Sequence, residues 1–116
     1  MALPAKNRLS KKLDFDTVFK GGRTVKGSFL FIRVIENGRQ MSRFGFVISS
    51  KVFRQAVVRN KVRRKLSEVL RLNLGKIRAG YDVIIVVKSR DTEIHKLTKE
   101  LEDTLVLAKL YDENSN

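Results

Sequence analysis

Apolar residues recur along the chain at two different spacings, which predict a mixture of helices and strands. In helices they recur every three or four residues, whereas in strands they alternate or form short continuous runs. Helical patterns lie at 11–19, 57–74 and 94–108, and strand patterns lie at 28–36, 43–50 and 81–88, with a further short strand near 24–26. The order α, β, β, α, β, α predicts an α+β sandwich in which helices cover a small sheet.

Two features predict how the strands are arranged. Asn37-Gly38 lies between the first two long strands and is a common hairpin signal, so these strands are expected to be neighbours. The third strand, YDVIIVVK at 81–88, contains five consecutive branched apolar residues. Such a run indicates burial on both faces and therefore a central position in the sheet.

The helix at 57–71 combines a packing face with repeated positive charge. Six of its fifteen residues are Lys or Arg, and only Glu68 is acidic. The apolar face consists of Val62, Leu66, Val69 and Leu70. The opposite face consists of Asn60, Arg64, Ser67 and Arg71, and Lys61 and Arg63 lie on its flanks. Solvated basic helices usually mix lysines with acids at i±4, but no acid lies between Arg59 and Lys65. Phosphate contact is therefore predicted for this helix.

Composition places this helix in one basic domain. The chain has 116 residues, 42% of them hydrophobic, and a formal net charge of +13, with a calculated pI of about 10.5. Residues 1–90 carry 22 Lys or Arg and five acids, whereas residues 91–116 carry three basic and seven acidic residues. We expect a single RNA-binding domain over 1–116, with flexible ends at 1–9 and 112–116.

Other classes of protein are disfavoured. There is no Cys, which excludes disulfides and thiolate metal sites. No apolar run approaches the length of a membrane span, and the N-terminus has no secretory signal pattern, so a cytoplasmic protein without a membrane partner is expected. His95 is the only histidine, and no carboxylate cluster, GxSxG or phosphate-binding glycine motif is present. The sequence therefore predicts neither catalytic residues nor a metal site in this chain.

Two residue types leave alternatives open. Asn60 is either a helix N-cap or a reader of base edges. The phenylalanines at 15, 19, 29, 31, 44 and 46 either stack on bases or, more commonly, pack in the core. Phe15 and Phe19 are the better candidates for a binding cleft, because basic residues flank their helix at 11, 12, 20 and 23.

Four segments carry a family resemblance. AVVRNKVRRKLSEVLR at 56–71 resembles the signature of the bacterial ribonuclease P protein subunit. NRLSKKLDFDTVFKGG at 7–22, RFGFVISSKV at 43–52 and GYDVIIVVKSR at 80–90 resemble other segments of that family, in the same order and spacing. Many relatives have a Gly just before the basic helix, but VFRQ at 52–55 has none.

The resemblance implies both a fold and a function. The implied fold is a two-layer α/β sandwich like the second domain of ribosomal protein S5, with a left-handed βαβ crossover. The implied partners are ribonuclease P RNA and precursor tRNA, with no obligate protein partner. Together the RNA and protein remove the 5′ leader of the precursor as an endoribonuclease, while the RNA carries out the hydrolysis with Mg²⁺.

The resemblance also implies roles for individual residues. The basic motif facing the catalytic RNA would comprise Arg59, Asn60, Lys61, Arg63, Arg64 and Lys65. The cleft for the leader would be lined by Phe15, Phe19, Phe31, Val47, Ser49 and Lys51. Two alternatives remain: a ribosome-associated or general RNA-binding protein of similar fold, and a nuclease that cleaves without an RNA partner. The lack of a carboxylate cluster or a histidine pair argues against the second alternative.

Overall fold

The computed structural model describes residues 3–90 and 92–111, which form one four-stranded sheet and three α-helices. The elements are α1 (Lys12–Gly21), β1 (Arg23–Lys26), β2 (Leu30–Glu36), β3 (Arg43–Val47), α2 (Ala56–Leu72), β4 (Tyr81–Val87) and α3 (Ile94–Leu107). Short 3₁₀ turns occupy Ala5–Asn7 and Leu74–Lys76. The predicted order of elements is therefore confirmed, including the short strand β1.

The strand order is β1-β2-β4-β3, which places β4 at the centre as predicted. β4 is antiparallel to β2 and parallel to β3, so β3, α2 and β4 form the βαβ crossover. The predicted hairpin between β2 and β3 is wrong, because β4 lies between them. β4 is apolar on both faces and is best buried in the middle, and this long-range requirement overrides the local turn signal of Asn37-Gly38.

Helices lie on both faces of the sheet. The larger core packs α2 and α3 against one face, with Leu66 of α2, Leu101 of α3 and Ile85 of β4 among its fully buried residues. This half is the predicted two-layer sandwich. On the other face, α1 packs Val18 against Ile84 of β4 in a smaller cluster. This helix covers only part of that face, which leaves the rest of the sheet accessible.

Residues 3–9, which belong to the predicted flexible segment 1–9, pack onto the domain, and residues 1 and 2 lie outside the described residues. The side chains of Leu3, Asn7 and Leu9 are buried. The Leu9 amide donates to the carbonyl of Phe44 at 2.8 Å, so the segment lies along the start of edge strand β3. Buried leucines make this stretch part of the core. The predicted flexible segment 112–116 lies outside the described residues.

Glu100 of α3 joins that helix to the start of β2. Its carboxylate accepts three backbone N–H bonds, from Ser28 at 2.8 Å, Phe29 at 2.7 Å and Leu30 at 2.8 Å. A Cβ at Gly27 would approach the Glu100 carboxyl carbon to 2.8 Å, so glycine is needed for this close contact. A charged acceptor shared by three amides is a strong local tie between the helix and the sheet.

Glu100→Gln is expected to lower the free energy of unfolding by about 1–3 kcal/mol, because the amide removes the negative charge and one acceptor oxygen. Urea denaturation would measure the change. Glu102→Gln is the matched control, because it makes the same charge change on the same helix, and no backbone amide in the described part of the chain donates to the Glu102 carboxylate as three do to Glu100. Equal losses in the two variants would show that the effect is one of net charge.

Candidate nucleic-acid interface

α2 presents a band of positive charge without acidic partners. Lys61, Arg63, Arg64 and Lys65 are all exposed. The ion pairs in the described part of the chain involve Arg43, His95 and Lys99, and none involves a residue of α2. The first turn of α2 contains no acid, although acids are favoured at helix N-termini. The N-terminal half of α2 is thus arranged to attract anions.

Arg59 has a structural role that the sequence did not reveal. Its Nη1 donates to the carbonyl of Phe53 at 2.8 Å and to that of Arg54 at 2.9 Å. These bonds hold the connection at 52–55 against the first turns of α2. Arg59 therefore belongs to the basic motif by position, but its guanidinium is partly used within the protein.

Asn60 is not the N-cap of α2, because Gln55 occupies that position. Asn60 lies one turn into the helix, is exposed, and accepts a hydrogen bond from Nη2 of Arg63. This contact fixes the orientation of Arg63 on the helix surface. The N-cap alternative is wrong, whereas the reading of base edges remains a hypothesis.

The face of α2 opposite its packing stripe is less exposed than the helical pattern predicts. Ser67 is only 8% exposed. The N-terminal segment and the edge of β3 approach this side of the helix, so part of the predicted solvent face forms the wall of a groove. A helical wheel gives angles around one helix and cannot show which other segments lie beside it.

This edge groove lies between residues 3–10, α1, β3 and α2, and has a volume of about 320 Å³. Its apolar lining includes Leu9, Phe15 and Phe46, and its charged lining includes Arg63 and Arg64. The groove brings Phe15 of the predicted leader cleft together with two arginines of the basic motif.

A second groove lies on the open part of the sheet. Phe19 and Phe31 line this sheet groove with Thr24, Lys26 and Arg33. Phe19 is 40% exposed, which is unusual for a core phenylalanine. Phe19 and Phe31 thus line one groove, whereas Phe15 lines the edge groove.

The strand register extends the sheet groove into a row across all four strands. Lys26 of β1 pairs with Phe31 of β2, Phe31 pairs with Val86 of β4, and Val86 pairs with Val47 of β3. Paired residues in neighbouring strands point to the same face, here the face that α1 only partly covers. Phe31, Val86 and Val47 are half-buried, so the row is an accessible apolar strip that ends at a lysine.

Ser49 and Lys51 lie just beyond the end of β3 and are exposed. The Ser49 carbonyl accepts the amides of Val52 and Phe53, both at 3.1 Å, which forms a compact turn around Lys51. The structure thus places both predicted residues beyond Val47, at one end of the row.

Sequence reasoning missed two basic residues of the sheet groove, Lys26 and Arg33. Lys26 belongs to a strand of four residues, and the alternation of apolar and polar residues in so short a strand does not show which face of the sheet Lys26 lies on. Arg33 donates to Thr24 Oγ1 at 2.6 Å and to the Phe19 carbonyl, near the C-terminus of α1. A charged residue at the centre of an otherwise apolar strand, FLFIRVI at 29–35, was the available signal for it.

The described residues contain no group of three or more His, Cys, Asp and Glu placed to hold a metal ion. His95 is exposed, and its Nε2 lies 3.2 Å from a carboxylate oxygen of Glu93. Within 3–90 and 92–111, no helix is both long enough and apolar enough to cross a membrane.

Comparison with known proteins identifies the family. The model of the Ribonuclease P family matches residues 3–109. The chain belongs to the ribonuclease P protein family. The ribonuclease P protein component of Alkaliphilus oremlandii is 38% identical over 104 residues, which cover 90% of this chain and 89% of the relative. That of Caldanaerobacter subterraneus is 35% identical over 108 residues, which cover 91% and 92%.

Solved structures agree with the family assignment. The RNase P protein of Staphylococcus aureus has a TM-score of 0.84 at 26% identity, covering 91% of this chain and 98% of that one. The RNase P protein of Thermotoga maritima has a TM-score of 0.77 at 26% identity, covering 90% and 98%. The predicted α+β fold and the family resemblance are confirmed, and the chain is a protein subunit of ribonuclease P.

Proposed function

We propose that this subunit has two RNA-binding surfaces with different partners. The exposed cations of α2 (Lys61, Arg63, Arg64 and Lys65) bind the catalytic RNA of ribonuclease P. The row of Lys26, Phe31, Val86 and Val47, together with Phe19, Ser49 and Lys51, binds the 5′ leader of precursor tRNA. The complex removes the leader and so produces the mature 5′ end of tRNA.

The observation that carries the proposal is the open row across the sheet. A single strand of RNA offers phosphates along its backbone and flat apolar faces on its bases. An accessible apolar strip with cations at its edges suits both, without selecting a particular base. A leader of variable sequence can therefore be held by stacking and charge, while the phosphate contacts of α2 supply affinity for the larger RNA.

In this proposal the catalytic groups belong to the RNA, which acts with Mg²⁺. The described residues of the protein do not fit a metal site of their own, and its single histidine lies on the surface beside Glu93. The protein's part is to bind leader and RNA and to reduce repulsion between their phosphates. We place this activity in the cytoplasm, with precursor tRNA and ribonuclease P RNA as partners and no obligate protein partner.

Reconstitution tests the proposal directly. Purified protein is added to a bacterial ribonuclease P RNA at low Mg²⁺ with precursor tRNA, and leader cleavage is measured with and without the RNA. We expect cleavage only when the RNA is present, and faster cleavage when the protein is added. Binding without faster cleavage would favour a general RNA-binding protein, and cleavage without the RNA would identify a self-sufficient nuclease.

Phe19→Ala is expected to weaken binding of precursor tRNA by about 1–3 kcal/mol, which is the usual contribution of one base stacked on an aromatic side chain. Binding of mature tRNA, which lacks the leader, should change little. Affinities of the reconstituted enzyme for the two RNAs would measure the difference. Leu72→Ala is a suitable control, because Leu72 is also exposed but lies at the far end of α2. Equal weakening for precursor and mature tRNA would remove Phe19 from the leader site.

A further inference from the structure

We propose that the edge groove binds one unstacked nucleotide of the RNA that docks on α2. This inference rests on the proposed function, because it concerns the same partner RNA. It adds a recognition site separate from the sheet groove. The base would enter the apolar part of the groove, and its phosphate would lie against the arginines of α2.

The floor of the groove suits a flat aromatic ring. Phe15, Phe44 and Phe46 all line it, together with the aliphatic side chains of Leu3 and Leu9. Phe15 and Phe46 are only half-buried, so parts of their side chains remain accessible. Bases taken out of a stack are commonly held by aromatic side chains in this way. The volume of about 320 Å³ lies at the lower end of the range for ligand pockets, which suits a single nucleotide.

The rim of the groove suits an anion. Arg8, Arg63 and Arg64 line it, and none of them pairs with a carboxylate in the described part of the chain. Nε of Arg8 donates to the Leu3 carbonyl at 2.9 Å, and Arg63 donates to Asn60, so two of the three guanidinium groups are held in place by neutral acceptors. Three cations beside an apolar floor match a nucleotide better than an uncharged ligand.

Small residues shape the floor and one wall of the groove. Gly45 has no side chain, so the Phe15 ring lies directly against β3, where a Cβ would come within 2.5 Å of it. Ser67 lies on the wall formed by α2, where a larger side chain would project into the space. Filling the groove from Ser67 therefore removes the space for a base without changing any charge.

Nucleotide probes test the site in the free protein. Adenosine monophosphate, adenosine and inorganic phosphate are titrated separately while the backbone amide signals of Gly45 and Ser67 are followed by NMR. We expect the monophosphate to shift both signals with saturation, and phosphate alone to leave them in place. Adenosine should bind at least fivefold more weakly than the monophosphate. Equal affinity for adenosine would refute the role of the arginines, and no shift with the monophosphate would refute the site.

Groove-filling variants test the site in the complete enzyme. Ser67→Met and Ser10→Met approach the groove from opposite sides, and Ser28→Met is the control on a distant exposed serine. We expect each filling variant to weaken binding of ribonuclease P RNA on the order of tenfold, and the control to bind like the wild type. Unfolding curves identify any variant that fails to fold, and Ser10, being exposed, is the more tolerant position.

The result separates this inference from the proposed function. If both filling variants bind RNA normally while α2 charge variants do not, the protein docks through α2 as proposed but the groove holds no nucleotide. If the charge variants also bind normally, the proposed docking surface itself is wrong.

Discussion

Replacing Lys61 and Lys65 together by alanine is expected to weaken binding to ribonuclease P RNA about 20-fold at ~0.15 M salt, if each lysine neutralises one phosphate. The two residues are one turn apart on the exposed side of α2. Neither lines the edge groove and neither has an ion pair in the described part of the chain. Alanine favours helix, so the loss would report on charge and not on folding.

The salt dependence gives a sharper measurement than affinity alone. Each lost phosphate contact should make the slope of log affinity against log salt less negative by about 0.7–0.9, and two contacts by about 1.4–1.8. Lys96→Ala with Lys99→Ala is the matched control, because it removes the same charge from exposed positions of α3. An identical slope change in the control would mean that net charge, and not the α2 surface, determines binding.

Local periodicity predicted the secondary structure well. The stripe of α2 at Val62, Leu66 and Leu70 is buried, as is all of the apolar run of β4 except the half-buried Val86. Both patterns show which side of a helix or strand is apolar, and the apolar side is the one that becomes buried. The cations in the N-terminal half of α2 from Lys61 to Lys65 are exposed for the same reason, so the main candidate surface was visible in the sequence.

Arrangement in space was harder to predict. The neighbours of β2 depend on which strand has the most apolar surface to bury, and that strand is β4. The Asn37-Gly38 turn carries no information about β4. The separation of Phe15 from Phe19 has a similar cause. The two residues are one turn apart on α1, but α1 crosses the sheet, so one meets Gly45 of β3 and the other approaches Arg33 of β2.

A partly buried polar cluster was also invisible in the sequence, although its members were all present. Arg43 of β3 makes two hydrogen bonds to Asp82 of β4, from Nε at 2.9 Å and from Nη2 at 2.6 Å. Its Nη1 reaches Asp14 of α1 at 3.3 Å, and Asn37 donates to Asp82 at 2.8 Å. The cluster connects the two parallel strands to α1 and to the connection after β2.

The hydrogen bonds from Arg43 to Asp82 raise the pKa of the arginine. An interaction that raises the pKa of a cation in the folded state stabilises the fold at all pH values below the ordinary pKa of that group, here arginine. That contribution is lost only as the pH rises through the higher folded value. Arg43 therefore stays charged at every pH at which the protein would be handled, and removing its partner leaves a charge that cannot be neutralised.

Asp82→Ala is for this reason expected to be the most destabilising single change considered, with a loss of about 3–5 kcal/mol in the free energy of unfolding. The Arg43 side chain is 15% exposed, so with only the longer contact to Asp14 left its guanidinium would have little access to water. For a domain of this size the melting temperature should fall by roughly 10–20 °C.

Two comparisons show whether the unpaired charge is the cause. Asp14→Ala removes the longer and more exposed bond to Arg43, so we expect a loss of less than about 1 kcal/mol. Adding Arg43→Leu to Asp82→Ala removes the stranded cation and should restore part of the lost stability. The alternative outcome is that the loss of stability in the double variant equals the sum of the losses in Asp82→Ala and Arg43→Leu. Such additivity would show that the two residues are not coupled. The cluster would then stabilise the fold through packing, and α1 would be held over the sheet mainly by Val18 and Phe15.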